Sequence, residues 1–297
     1  MTSLVVIQAR MASTRLPGKV LRVIADRPAL RLQIERLRAG GIEPVVATSD
    51  GAADDAVAAL CAGIEVECVR GSEQDVLARF ALAASRHPDA ELVVRLTADC
   101  PLTDPAVVRH AIDVATQTGA DYTSNSLQRT FPDGFDVEVL RVDALREAAA
   151  SATDRAEREH VTPFVVRRPS RFRLASIDSG RRFGHLRLTL DTAADLEVIR
   201  SVAARLDDPA TSPWAEAVAL LPPSAAPAAV PRGVEGPLAL RHFELVGDRT
   251  VGLEVLDVGT GVLRADGTIT VPELRAVLGW LAMDAQVTGL SVGSLRV

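Results

Sequence analysis

Three basic residues lie close together near the start of the chain, directly after its first hydrophobic segment. Arg10, Arg15 and Lys19 fall within ten residues, and a Pro-Gly pair precedes the lysine. Arginine can bind two phosphate oxygens through its planar guanidinium group, whereas lysine supplies a compact, mobile charge. The loop therefore predicts a polyphosphate site, to which the hydroxyls of Ser13 and Thr14 and the backbone N–H groups add donors.

Two acidic residues occupy positions where a metal ion bound to that polyphosphate would need them. Asp99 ends the apolar segment ELVVRLTAD, shortly after Thr97, and Asp191 ends the segment LRLTLD just before a helix. Each acid alone has an ordinary explanation, as a turn former or as an acid favoured by the helix dipole. Mg²⁺, however, prefers a few carboxylates combined with phosphate oxygens. Together with the basic loop, the two acids predict a Mg²⁺–triphosphate site that Thr97 also lines.

The elements that must position these residues alternate regularly from residue 4 to about residue 206. Short β-branched apolar segments, the last of them LRLTLD, are separated by helix-period segments. Helix starts are predicted at Pro28, at Ser72 with Asp75 three residues later, at Asp104 and at Thr192. This pattern predicts an α/β fold, a three-layer doubly wound and mostly parallel sheet with its ligand crevice beyond the carboxyl ends of the strands.

Two other segments interrupt the alternation. Pro132-Asp133-Gly134 lies between strand-like segments and predicts a hairpin that reaches over the site or towards a second subunit. Residues 222–237 are rich in Pro and Ala and predict a linker. We therefore expect a main domain at residues 1–221 and a small α+β domain of unknown role at residues 238–297. In the small domain, we expect an Asp-Gly turn and a helix over PELRAVLGWLAMDA.

Composition limits the possible partners and the location of the protein. The chain carries a net charge of −6, which argues against nucleic acid as a partner. No window resembles a membrane span, so we expect no membrane association. The three cysteines form no CxxC pair, which makes a structural zinc site improbable and suits a reducing cytoplasm.

Six sequence blocks, taken together, resemble one family. They are IQARMASTRLPGKVL, RGSEQDVLARF, VVRLTADCPLTDP, DYTSNSLQRTFPDGFDVEVL, REHVTPF and HLRLTLDTAADLEVI. They resemble the SpsF-type cytidylyltransferases of spore-coat polysaccharide biosynthesis, and the first block also resembles 3-deoxy-manno-octulosonate and acylneuraminate cytidylyltransferases. The resemblance implies a nucleotide-diphosphosugar-transferase-like fold and a homodimer. It also implies Mg²⁺-dependent transfer of CMP from CTP to a sugar or sugar-like acceptor, with release of pyrophosphate.

The resemblance also assigns roles to residues. It implies that the triphosphate is bound by Arg10, Arg15 and Lys19, and that the metal is bound by Asp99 and Asp191. It also implies that Arg70 and Gly71 lie near the nucleotide. It places the acceptor near Asn125, Arg129, Asp136, Glu138 and His160. Ala12 and Ala98 depart from the glycine of many relatives, and Phe131 and Phe135 depart from the usual Tyr and Leu, so the acceptor's identity stays open.

Two other classes of function remain alternatives. A glycosyltransferase that uses a nucleotide sugar could share this fold, although such enzymes commonly carry a DxD motif and Asp99 is followed by Cys-Pro. A non-catalytic scaffold that binds a partner through its C-terminal region is the other, and the presence of all five charged residues of the predicted site argues against it.

Overall fold

A computed structural model describes residues 1–180, 183–184 and 186–221, together with three strands between residues 238 and 270. The chain divides into two units, residues 1–226 and 227–297, and each is described by itself. The predicted linker and the predicted helix PELRAVLGWLAMDA lie outside the described residues. Within the part of the chain that the structure describes, no helix is long and apolar enough to cross a membrane.

The first unit alternates strands and helices in chain order. Its strands are β1 (Ser3–Gln8), β2 (Val23–Ile24), β3 (Arg27–Pro28), β4 (Val45–Ser49), β5 (Cys68–Gly71), β6 (Leu92–Thr97), β7 (Tyr122–Ser124), β8 (Glu138–Arg141) and β9 (Leu174–Ser176). Its α-helices are α1 (Ala29–Ala39), α2 (Asp55–Gly63), α3 (Val76–Arg86), α4 (Pro105–Thr118), α5 (Val142–Ser151), α6 (Arg155–His160), α7 (Pro163–Val166), α8 (Ala193–Ala203) and α9 (Trp214–Ala219). Short 3₁₀ helices span Lys19–Leu21 and Ala52–Asp54.

Seven strands form the main sheet in the order β5-β4-β1-β6-β8-β7-β9. The strands β5, β4, β1 and β6 are parallel, whereas β8 runs antiparallel to both β6 and β7. Alternate residues of β1 enter two cores: Val6 packs in the same cluster as Phe80 of α3, and Ile7 in the same cluster as Ile34 of α1. Because successive side chains of a strand point to opposite faces, helices cover both sides of the sheet. The predicted α/β architecture is confirmed.

Three of the four predicted helix starts are observed, and one is wrong. Pro28 precedes α1, the Asp104 carboxylate accepts a hydrogen bond from the Ala106 N–H, and Thr192 forms a capping box with Asp195. The prediction of Ser72 is wrong because the Ser72 hydroxyl accepts from the Asp75 N–H within a turn. Asp75 is the cap of α3, accepting from the Ala78 N–H.

The predicted strand LRLTLD is also wrong. This segment makes a single bridge, between Arg187 and Asp133. Its backbone donates from the Leu188 N–H to the Asp133 carbonyl and from the Leu190 N–H to the Asp99 carbonyl, at 2.7 Å in both cases. The backbone of this segment thus bonds to two different loops instead of to one neighbouring strand, so it forms no continuous row of strand-to-strand hydrogen bonds.

The segment around Pro132 also differs from the expected hairpin. The antiparallel pair is β7 with β8, joined by residues 125–137, and β8 belongs to the main sheet. The turn itself requires glycine, because Gly134 has a φ of 110° and an added Cβ would lie 2.5 Å from the Leu188 carbonyl carbon. This contact fixes the loop against the segment that leads to Asp191.

The described part of the second unit is an antiparallel sheet of β10 (Leu238–Val246), β11 (Arg249–Asp257) and β12 (Gly261–Thr270). The predicted Asp-Gly turn is wrong, since residues 266–267 lie inside β12. The register between β11 and β12 shifts there, between the pairs of Val251 and Leu253, as expected of a bulge.

Candidate active site

Lys19 lies between the two predicted metal ligands. Its Nζ donates to Asp99 Oδ2 at 2.8 Å and to Asp191 Oδ1 at 2.7 Å, although the three residues are far apart in sequence. The lysine opens a 3₁₀ helix after Gly18, whose φ of 66° turns the chain. Lys19 is the only lysine in the chain, and every other basic side chain is an arginine or a histidine.

Backbone hydrogen bonds hold the two acids at the same edge of the sheet. Asp99 follows β6, and its carbonyl accepts from the Leu190 N–H. Asp191 precedes α8, and its own N–H donates to Asp195 Oδ2 at 3.0 Å. The capping box of α8 therefore positions Asp191, so the same side chain of Asp195 serves both the helix and the site.

Arginines complete the environment of Asp191. Arg15 Nη2 lies 3.2 Å from Asp191 Oδ1, and Arg187 Nη2 donates to Asp191 Oδ2. Burial alone would raise the pKa of Asp191, but the hydrogen bond and charge of Lys19, with Arg187 and Arg15, lower it below its usual value. Burial likewise opposes the charge of Lys19, yet the two carboxylates raise the pKa of Lys19 above its usual value. Asp191 and Lys19 are therefore both charged at neutral pH.

The acids and the basic loop line one cavity of about 670 Å³. The predicted residues that line it are Arg10, Ser13, Thr14, Arg15, Lys19, Thr97, Asp99 and Asp191. Among the described residues, Arg10 has no hydrogen bond or ion pair through its side chain, and the Arg15 side chain is 62% exposed. Both cations are thus accessible to an anionic ligand, as a triphosphate site requires.

Arg70 and Gly71 do not line this cavity. Arg70 donates to the carbonyls of Ser49 and Gly51, at 2.9 and 3.1 Å, and pairs with Asp55 at 2.7 Å. It therefore holds the loop after β4. Gly71 lies at the end of β5, close to the buried stem of Arg79.

A second cavity of about 150 Å³ adjoins the first, and the two share Arg95 and Thr97 as lining residues. Ser126, Asp136 and Glu138 complete its lining. Two of the predicted acceptor residues, Asp136 and Glu138, are thus beside the first cavity. A third, Arg129, donates to Asp136 Oδ1 at 2.9 Å but does not itself line the cavity.

Asn125 and His160 line neither cavity, and their predicted contact with the acceptor stays a prediction. The Asn125 side chain is fully buried, donating to the Phe135 carbonyl at 2.7 Å and accepting from the Val137 N–H at 2.9 Å. It holds the loop between β7 and β8 in place. His160 ends α6 on the exposed surface and lines neither cavity.

Several residues of the site escaped the sequence analysis: Gln8, Arg95, Thr162 and Arg187. A signal existed for two of them. Arg95 is a charged residue inside the apolar segment ELVVRLTAD, and Arg187 precedes Asp191 by four residues in LRLTLD. Gln8 and Thr162 carry no local signal, because their contacts come from strand register and from a tight turn.

The donor set fits a divalent cation that also binds phosphate oxygens. The described residues contain no group of three or more His, Cys, Asp or Glu side chains that could enclose a metal by themselves. Asp99 Oδ2 accepts from Lys19, whereas the one described contact of Asp99 Oδ1 is with the Cys100 thiol at 3.7 Å. Two convergent carboxylates with one weakly engaged oxygen suit Mg²⁺, which takes its remaining ligands from phosphate and water.

A mostly parallel sheet with a basic loop and two convergent acids at the edge where its parallel strands end is typical of an enzyme acting on nucleotides. The family model described as Cytidylyltransferase matches residues 4–208. The chain therefore belongs to the cytidylyltransferase family and is a nucleotidyltransferase.

Individual relatives agree with this family. Spore coat polysaccharide biosynthesis protein SpsF of Bacillus subtilis is 34% identical over 208 residues, 67% of this chain and 85% of that protein. A 3-deoxy-manno-octulosonate cytidylyltransferase of Chelativorans sp. is 29% identical over 238 residues, 71% of this chain and 94% of that protein. The structure of a cytidylyltransferase from Leptospira borgpetersenii matches with a TM-score of 0.70 at 30% identity, covering 74% of this chain and 93% of that one.

Proposed function

We propose that this enzyme transfers CMP from CTP to a sugar or sugar-like acceptor in a Mg²⁺-dependent reaction that releases pyrophosphate. The observation that carries the proposal is the cavity in which Lys19 contacts both Asp99 and Asp191 beside two accessible arginines. The name of the Chelativorans relative supports CTP as donor and a sugar acid as one acceptor within the family. The acceptor of this chain is a separate question.

The proposed reaction is a substitution at phosphorus. An acceptor oxygen attacks the α-phosphorus of CTP, and the bond from that phosphorus to the bridging oxygen breaks. The electron pair of that bond leaves with pyrophosphate. Negative charge grows on the bridging oxygen, so cations preorganised around it accelerate the step. Lys19 and Arg15 would neutralise the leaving pyrophosphate, while Arg10 and the hydroxyls of Ser13 and Thr14 would bind the remaining phosphate oxygens.

The acceptor proton requires a base, and Asp136 is suited to accept it. Asp136 lines the second cavity, beside Thr97, which also lines the first. Burial raises the pKa of Asp136, Arg129 lowers it, and Asp133 raises it again, with a net value of about 6. A base with a pKa near the working pH combines an ionised carboxylate with useful basicity.

Asp99 and Asp191 would hold the Mg²⁺. When bound, the ion neutralises charge on the triphosphate and lowers the barrier to attack at phosphorus. The Lys19 ammonium contacts both carboxylates. A cation at this position is therefore electrostatically favoured, and Lys19 would donate to the phosphates of bound CTP.

The proposal also includes the predicted domain division at residues 221 and 238, a homodimer and a cytoplasmic location. The three free thiols support a reducing compartment. The homodimer rests on the family resemblance, and light scattering of the purified chain would test it.

A pyrophosphate-release screen tests the function directly. The full chain is incubated with Mg²⁺, each of four nucleoside triphosphates and a panel of sugars, with EDTA and Asp99→Asn as negative controls. We expect pyrophosphate only with CTP, Mg²⁺ and an acceptor. Release of a free nucleoside diphosphate from a nucleotide sugar would instead indicate the glycosyltransferase alternative.

The single lysine provides an independent binding test. Reductive methylation modifies amines, and Lys19 and the N-terminus are the only amines among the protein's side chains and termini. We expect CTP with Mg²⁺ to slow methylation of Lys19 relative to the N-terminus, as read by peptide mass spectrometry. Equal rates with and without CTP would contradict binding at this site, and would favour a non-catalytic scaffold.

A further inference from the structure

The second cavity has a charge pattern that limits what it can bind. We propose that the body of the acceptor, apart from its attacking group, is rich in hydroxyl groups and carries no negative charge, whereas an amino group is accepted. This inference rests on the proposed function, because it assigns the second cavity to the acceptor of the same reaction.

The arginine that lines this cavity, Arg95, is already neutralised by a protein carboxylate. Arg95 Nη1 pairs with Glu138 Oε2, and Arg95 Nη2 donates to Gln8 Oε1 at 3.0 Å. The Arg95 side chain is only 13% exposed. It therefore has little capacity left to bind an acceptor carboxylate.

Glu138 is held in this pairing by three donors. Besides Arg95, the hydroxyls of Tyr122 and Thr162 donate to Glu138 Oε1, each at 2.8 Å. Thr162 is presented by a tight turn in which the buried Val161 has a φ of 71° and the Thr162 N–H donates to the His160 carbonyl. Positive φ is strained for a β-branched residue. The fold thus keeps Arg95 neutralised by a rigid arrangement.

Arg129, the other nearby cation, is neutralised twice. Its Nη1 contacts Asp136 Oδ1 at 2.9 Å and Asp133 Oδ1 at 3.5 Å. Arg129 lies behind Asp136 and does not line the cavity. Among the described lining residues, two carboxylates face one arginine, so a bound anion would meet net negative charge.

The groups that remain favour neutral or cationic partners. Asp136 is 29% exposed, and Thr97 and Ser126 add hydroxyls to the lining. Carboxylates accept hydrogen bonds from hydroxyl or ammonium groups, and like charges placed together across a binding site cost several kcal/mol. This lining suits a neutral sugar or an amino sugar and disfavours a sugar acid.

Matched acceptors test the inference on the full-length enzyme. Glucose, glucosamine and glucuronic acid, and the corresponding 1-phosphates, differ in one substituent of the same ring. With CTP and Mg²⁺, we expect the neutral and amino members to show kcat/KM values about 100-fold higher than the acid. Equilibrium binding is measured by calorimetry in the presence of a CTP analogue with a methylene α–β bridge.

Two variants test whether Asp136 causes the preference for neutral over acidic acceptors. Asp136→Asn leaves Arg129 with one acid, and we expect the binding preference for neutral over acidic acceptors to fall about tenfold. Asp143→Asn is the matched control, because Asp143 is 84% exposed on α5 and lines neither cavity. We expect this control to preserve the preference.

The outcomes separate the two proposals. Preference for the acid, or an unchanged preference in Asp136→Asn, overturns the acceptor class while leaving cytidylyl transfer intact. Binding of CTP with no binding or use of any of these sugars overturns the acceptor class as well. No binding of CTP with Mg²⁺ overturns the proposed function itself.

Discussion

Replacing Lys19 by methionine removes the charge between the two carboxylates while keeping an unbranched side chain of similar length. Asp99 Oδ2 and Asp191 Oδ1 both lie within 2.8 Å of the same nitrogen, so they are at most twice that distance apart. At this separation and an effective dielectric constant of about 20, two unit charges repel by about 3 kcal/mol. Arg15 and Arg187 compensate part of this around Asp191. We therefore expect a loss of about 1–3 kcal/mol in the free energy of unfolding at neutral pH.

The pH dependence identifies the cause of that loss. The lowered pKa of Asp191 in the wild type contributes stability above the carboxyl's ordinary pKa, and this stability is lost as pH falls. In Lys19→Met, we expect the repulsion to raise the pKa of one of the two carboxyls, so the free energy of unfolding of the variant decreases as pH rises. The difference in unfolding free energy should therefore shrink as pH falls towards about pH 4, because protonation of one carboxyl in the variant removes the repulsion.

The assay is urea unfolding of both proteins near pH 4 and near pH 7, with and without Mg²⁺. Mg²⁺ should stabilise Lys19→Met more than the wild type, since the variant lacks the competing ammonium. Lys19→Arg keeps the charge and serves as the matched control, with little of the pH-dependent loss. In turnover, Lys19→Met should lower kcat/KM about 10²-fold or more. An unfolding difference that is independent of pH and of Mg²⁺ would refute the electrostatic explanation.

Three further predictions follow from the same structure. Asp136→Asn should lower kcat about 10²-fold. Wild-type Asp136, whose neighbours include Arg129, Asp133 and Cys100, should make the rate rise with pH through about pH 6, and the variant should lose this rise. A variant that keeps the rise would exclude Asp136 as the base. Gly134→Ala should unfold several degrees earlier, because its Cβ would overlap the backbone of Leu188; an unchanged melting temperature would contradict the close approach. Thr192→Ala should cost about 1 kcal/mol of stability and also weaken CTP binding, since the α8 cap positions Asp191; CTP binding measured at a temperature where both proteins are folded separates the two effects.

The sequence predicted those features that depend on local pattern. The alternation of strands and helices predicted the main sheet, and the charged residues at strand ends predicted that Asp99 and the basic loop lie together. The strand predicted at LRLTLD failed because its hydrogen bonds go to two loops that the sequence does not bring together. The contacts of Asn125 were not predictable for a similar reason: only the folded loop shows that its amide bonds to Phe135 and Val137. Pairing across the sheet, as between Arg95 and Glu138, is equally invisible to a local pattern.

The choice of lysine at position 19 follows from the geometry of the acids. In a chain whose other strong cations are all arginines, composition alone would favour arginine at this position too. A guanidinium group is planar and binds best in a two-pronged manner to one carboxylate or phosphate, whereas an ammonium group is compact and can donate in three directions. An ammonium group donates to both carboxylate oxygens here, at 2.8 and 2.7 Å, and still retains a third N–H for another acceptor. The role proposed for Lys19, contact with both acids and then with a phosphate, therefore favours a lysine at this position.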